Sequence, residues 1–260
     1  MNITDYFKQH FEIVPADTDD LVEEVLKLRY QVFCVETTIL NKRNHTDCRE
    51  QDLYDNRSVH CLIRHKGMSV FVASVRLILP DPENHLNNFP IEYYCGEGFF
   101  EDGIISDPLK RKTLGEVSRI LVSKERERLV QEYTRASRDA SGSSKRKDGL
   151  LCYLLLFGLF SAVMKMTTES NILMWYVSVT PILFRLLRRF EINFQPIGSP
   201  IDYNGTRIPC LGFTEEISSL VSKYRPELWH FVTQTVTSDK TSQTMKTPEN
   251  PVPGTGFLSE

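Results

Sequence analysis

The sequence predicts an α/β (α+β) fold, a mixed central sheet flanked by helices. Three observations predict it. Segments of helical and strand period follow one another as helix, hairpin, strand, helix, strand, helix, strand pair. The longest apolar run, Leu150 to Met164, is ended by Lys165. It falls short of the ~18–20 residues that cross a bilayer, so it reads as a buried core helix. The composition is that of an ordinary globular chain: 260 residues, 41% hydrophobic and 25% charged, enough to bury a substantial core.

Each element has a local reason. Residues 4–12 have the pattern of a short amphipathic helix, and EIVPA reads as the first strand. Asp17 to Asp20 supply caps and first-turn acids for a helix over about 20–33, whose Leu21, Val25, Leu28 and Val32 share one face. Residues 36–57 are polar and patternless and read as a long loop. Val59 to Arg64 and Val70 to Leu79, separated by HKGMS, form a hairpin signal. Pro80, Pro82 and Pro90 break regular structure, so 81–112 reads as an irregular insert. LGEVSRILV, 114–122, reads as a strand, and the polar stretch 124–148 as a mobile second insert. The apolar helix over 149–168 is followed by the buried strand Ile172 to Val179. Pro181 opens a helix, where a first-turn proline costs little. Asn193 to Gly198 and Arg207 to Phe213 close the pattern as strands joined by turn residues. The expected organisation is one domain over 1–228 and a disordered tail over 229–260.

Net charge is −3 and the pI is about 6.1, against non-specific nucleic-acid binding as the main task. The mean hydropathy of −0.27 excludes a polytopic membrane protein, and the first twenty residues contain no secretory apolar stretch. Cys34, Cys48, Cys61, Cys95, Cys152 and Cys210 form no CxxC pair. Reduced thiols in the cytoplasm are the expectation, without a metal site; His60 and His65 have no ligand spacing.

Four segments concentrate arginine and carboxylate beside apolar positions: LRYQVF (28–33), EQDLYD (50–55), VASVRL (72–77) and GEVSRILV (115–122). In the last, Glu116 and Ser118 share one face and Val117 and Arg119 the other. A bulge near 117–121 would change that parity and bring Glu116 and Arg119 toward one site.

In this order and spacing the four segments resemble the acyl-homoserine-lactone (autoinducer) synthases, N-acyltransferases of the GNAT fold that use acyl carrier protein. The matching positions are Arg29 and Phe33, Asp52 and Asp55, Arg76, and Glu116 and Arg119; VTPILFRLLRRFEINFQPIGSPIDYNGTRIPC is similar to the family's last helix and closing strands. The resemblance spans about residues 10–215. It departs after RYQVF, where that family has a tryptophan that helps hold S-adenosylmethionine; here the stretch is CVETTILNK. The two inserts and the tail also exceed the family's usual size. The chain is more similar to the long-chain N-acyl amino acid synthases and to the bacterial acyltransferases associated with exosortase (PEP-CTERM) systems.

The resemblance implies transfer of a fatty acyl group from a thioester cosubstrate, acyl-ACP or acyl-CoA, to the amine of a small molecule such as an amino acid, with no permanently bound cofactor. Amide formation needs a neutral amine, so Glu116 is expected to take its proton, with Ser118 and Arg119 beside it. A backbone N–H of the bulged strand would meet the oxyanion. Asp52 and Asp55 would hold the substrate ammonium or clamp Arg29 and Arg76, and Phe33 would line the pocket. Acyl carrier protein, an acidic partner, would meet the basic stretch that includes Lys145, Arg146 and Lys147, and the basic face of Arg185, Arg188 and Arg189. Two other readings are an acyl-homoserine-lactone synthase that uses S-adenosylmethionine, and a non-catalytic acyl- or carrier-binding module.

Overall fold

The computed structural model describes residues 2–95, 107–136 and 148–237. Helix α1 (Ile3–His10) starts at Asn2, whose side chain accepts from the Asp5 N–H, and leads into strand β1 (Phe11–Pro15). Helix α2 (Asp19–Tyr30) is capped by Thr18. It continues as a π-helical turn, Gln31–Glu36, a widening often found beside functional sites. Strands β2 (Ser58–His65) and β3 (Val70–Ile78) form the expected hairpin, and β4 spans Leu114–Val122. Helices α5 (Lys124–Ala136) and α6 (Asp148–Glu169) precede β5 (Met174–Val179). Helix α7 (Pro181–Arg189), with Thr180 as cap, leads to the short strands β6 (Gln195–Pro196) and β7 (Ile201–Asp202) and then to β8 (Thr206–Phe213). Helices α8 (Thr214–Tyr224) and α9 (Pro226–Thr237) end the described chain.

The sheet runs β1-β2-β3-β4-β5-β8-β6, with β7 paired to β8. Its pairs are antiparallel except β4 with β5. Strand period sends alternate residues to opposite faces. One face carries Ile63, Val75, Leu77, Val117, Trp175 and Val177 into the main core, which α6 closes with Leu154, Leu155, Leu159 and Val163. The other face carries Arg76, Ile78, Glu116, Ser118 and Tyr176, because Arg76 pairs with Ser118, Ile78 with Glu116, and Glu116 with Tyr176. Helix α2, through Val25 and Leu28, and the π turn, through Val32, cover one end of this face by packing on Leu62 and Leu121.

Four expectations change. The 36–57 loop contains 3-10 turns at Lys42–Asn44 and Leu53–Arg57, the second held by a capping box between Asp52 and Asp55. The 81–112 insert contains helix α3 (Pro90–Cys95) and helix α4 (Pro108–Arg111). The polar stretch after β4 begins as α5, stabilised where Glu36 accepts from the Lys124 N–H at 2.8 Å and the Ser123 hydroxyl at 2.6 Å; 137–147 lie outside the described residues. The tail boundary at 228 is too early. Helix α9 continues to Thr237 because Leu228, Phe231 and Val232 are buried in the main core. Helix α8 had no expected counterpart. The core helix, Asp148–Glu169, matches the expected 149–168. Leu151–Glu169 is, among the described residues, long and apolar enough to cross a bilayer, yet 67% of its best window is buried inside the fold.

Candidate active site

The strand pair β4–β5 is built to open. Its ladder ends at Val117–Val177, while β4 runs on to Val122 and β5 to Val179. Beyond that point the strands part, and a pocket of about 420 Å³ lies between them, lined by Val117–Val122 and Val177–Val179. Phe33, Ile39 and Leu40 from the π turn and its exit, Ile91 and Tyr94 from α3, Leu183 from α7, Tyr203 from the β7–β8 turn and Arg207 from β8 add to the wall. The Tyr94 and Tyr203 rings lie against each other, tilted by 31° with centroids 3.8 Å apart.

The bulge that the parity argument required is present. Between the Ser74–Leu121 and Arg76–Ser118 pairs, Arg119 and Ile120 face the single residue Val75. Arg119 takes φ = +52°, a left-handed conformation that costs a β-carbon residue about 1 kcal/mol or more. Its ion pairs hold it there. Arg119 Nη2 donates to Glu50 at 3.0 Å and to Asp52 at 2.9 Å, and Nε donates to Glu50 at 3.1 Å. The guanidinium also lies 5.8 Å from the Phe33 ring centroid. Glu116, Ser118 and Arg119 therefore line one pocket.

Behind the wall is a network of three arginines and three carboxylates. Arg29, fully buried, donates to Glu50 at 2.5 Å and to Asp55 at 2.6 Å. Arg76 donates to Asp52 at 2.7 Å, to Asp55 at 2.8 Å and to the Ser118 hydroxyl at 3.0 Å. The formal charges cancel, as burial demands. Burial raises the Glu50 carboxyl, but the charges of Arg29 and Arg119 outweigh it and bring it to about 2. Asp55 is likewise held well below the carboxylate range by Arg29 and Arg76 against its own burial. His60, whose Nε2 is 3.6 Å from Asp55, is pushed down to about 4 by burial and then by Arg29, so it is neutral at pH 7.

Glu116 is the exception. It is buried, outside the network's ion pairs, and its Oε2 accepts the Ile91 N–H at 3.0 Å. Burial raises its carboxyl to about 7; the Ile91 N–H, Arg76 and Arg119 pull it down, and Glu92 pushes it up.

Of the two roles expected for Asp52 and Asp55, the structure has the clamp: Asp55 holds Arg29 and both hold Arg76, and none of these four residues lines the pocket, whereas Phe33 does. Lys145, Arg146 and Lys147 lie outside the described residues. Arg185 and Arg188 are exposed on α7, the helix that lends Leu183 to the pocket. Arg126 and Arg128 of α5 are engaged, one with the Phe71 carbonyl and the other with Glu132. Sequence reasoning missed Glu50, the residue that joins Arg29 to Arg119. It lies within the acidic segment EQDLYD, and nothing local separates it from a solvated loop glutamate. Among the described residues, no group of three or more His, Cys, Asp or Glu is placed to hold a metal ion.

Residues 28–133 match the acetyltransferase (GNAT) domain family, a span that holds every member of the charge network. A comparison with curated proteins returns no match. Three solved structures share the fold. FeeM, an N-acyl amino acid synthase from uncultured soil microbes, is 11% identical over 81% of this chain and 95% of its own, with a TM-score of 0.51. TofI, solved in a ternary complex with an inhibitor and MTA, is 16% identical over 84% and 96%, with a TM-score of 0.52. BjaI, a CoA-dependent acyl-homoserine lactone synthase solved with MTA, is 18% identical over 82% and 88%, with a TM-score of 0.51.

Proposed function

We propose that this chain, with the GNAT fold and a GNAT domain over 28–133, is an N-acyltransferase. It moves a fatty acyl group from a thioester to the amine of a small molecule. The observation that carries the reading is Glu116, a buried carboxylate raised to about 7 on the floor of the pocket where β4 and β5 part. A base near neutrality takes a proton from an ammonium or amine at working pH without being held permanently ionised. The neutral nitrogen then attacks the thioester carbonyl. Negative charge gathers on its oxygen, where N–H groups of the bulged β4 segment meet it. That attack forms the C–N bond; collapse then restores the C=O bond, breaks the C–S bond and releases the thiolate, which takes up the proton that the nitrogen loses.

The apolar wall of Val32, Phe33, Ile39, Leu40, Val179 and Leu183 suits an acyl chain. We take acyl carrier protein as the donor, in the bacterial cytoplasm, approaching the exposed Arg185 and Arg188 and the Lys145, Arg146, Lys147 cluster; the sequence resembles the PEP-CTERM-associated acyltransferases and the long-chain N-acyl amino acid synthases. FeeM's description as an N-acyl amino acid synthase supports an amine acceptor.

The test measures thiol release from acyl-carrier protein and from acyl-CoA with a panel of small amines, with products identified by mass spectrometry. An N-acyl amine is expected, and Glu116→Gln lowers turnover by roughly 10²-fold or more. Acyl-homoserine lactone formed from S-adenosylmethionine would move the chain to that class. Unchanged turnover in the folded Gln variant would refute the base.

A further inference from the structure

The 81–112 insert contains a second buried ion pair, separate from the charge network. Arg111 and Glu92 are both buried. The two arms of Arg111 donate to the two Glu92 oxygens at 2.5 and 3.0 Å. The same guanidinium donates to the His85 carbonyl at 2.6 Å and to the Asn87 carbonyl at 3.0 Å, and it lies 5.5 Å from the Phe89 ring centroid. Glu92 Oε2 also accepts the Phe89 N–H at 2.7 Å. That is half of a capping box, with Pro90 at the first helical position. Fork geometry fixes orientation as well as charge, which a lysine could not do.

One residue separates this clamp from the pocket floor. Ile91, between Pro90 and Glu92, is the residue whose N–H is donated to Glu116. Phe89 packs edge-on against Tyr176 at 5.9 Å, and Tyr176 is the strand neighbour of Glu116. Phe89, Ile91, Leu114, Met174 and Tyr176 form one apolar cluster around them. The clamp therefore sets where the α3 backbone meets the Glu116 carboxyl.

We propose that Glu92 and Arg111 are positioning residues for Glu116: their ion pair fixes the Ile91 N–H on the Glu116 carboxyl and keeps the Glu92 charge beside it neutralised. The proposal rests on Glu116 being the base. The groups that face Glu116 are Arg76 and Arg119 from the sheet, Glu92 and the Ile91 N–H from α3, and Tyr54, Arg57, Cys95 and Tyr176 around them. Glu92 and its partner Arg111 can be changed without touching the network or the pocket wall.

The test is the pH profile of kcat/KM for thiol release by the full chain. Glu92→Gln removes a like charge and leaves Arg111 unmatched, so the acidic limb is expected to move down by about half a pH unit or more. Arg111→Met leaves the Glu92 carboxylate unmatched, so the limb is expected to move up. The double variant should return toward the starting profile; if Arg111→Met does not fold, Glu92→Gln and the double variant carry the comparison. A purely structural pair would lower stability and leave the limb in place. A limb unmoved in folded Glu92→Gln, but abolished in Glu116→Gln, overturns the positioning role alone. A limb that survives Glu116→Gln overturns the base and this proposal with it.

Discussion

At Glu116, burial raises the carboxyl from 4.5 to about 7. The folded chain therefore holds a proton there more tightly than the unfolded chain does. This stability is fully present below about pH 4.5 and is lost as pH rises through 7. Full ionisation costs up to roughly 3 kcal/mol, from the size of the shift. Glu116→Gln cannot ionise, so it should be more stable than the parent by about 1–3 kcal/mol at pH 8.5, with the gap closing near pH 5. Urea midpoints at the two pH values check this; a gap that ignores pH would mean the carboxyl is not perturbed. The ionised form that destabilises the fold is the form a base must use, so stability and activity pull apart at this residue.

At the scale of elements, two local irregularities make the pocket. The β4 bulge aims Arg119 at Glu50 and Asp52, and the π turn after α2 places Phe33 on the wall. Both depart from the regular period by one residue, and the ion pairs hold the strained one in place. On the opposite face the constraint is contact. A β-carbon at Gly158 of α6 would lie 2.7 Å from the Phe7 ring and 2.8 Å from Ile63. Alanine is the better helix former by about 1 kcal/mol, but these neighbours are buried and cannot give way cheaply. Gly158→Ala should therefore destabilise the chain by about 1–2 kcal/mol. An increase in urea midpoint would show that α6 has room to move.

At the scale of the whole molecule, the sheet is covered on one side by helices and on the other by α2 and the clamped insert. The helical side depends on the chain's last described helix. Phe231 of α9 is fully buried, edge-on to Phe7 at 5.1 Å and to Phe157 at 6.0 Å. Phe231→Ala should cost about 3–5 kcal/mol. Thermal or urea unfolding measures it, and a loss below about 0.5 kcal/mol would mean α9 is not part of the core. The composition after residue 229 hid this, because a few buried side chains on one helix face are outweighed there by the polar run that follows.

The strands β1 to β5, the helices α1, α2, α6 and α7, and the density of charge in four segments follow from the sequence alone. Period, capping residues and apolar runs are local signals, and the bulge could be inferred because Glu116 and Arg119 otherwise point to opposite faces. The tertiary structure alone decided which charges meet. Glu50 meets Arg119 across 69 residues of chain, and Arg111 meets Glu92 across 19. No periodicity records such partners. It also decided that Arg29 and Arg76 stand behind the pocket and Glu116 on its floor, because burial and charge balance are properties of the packed molecule.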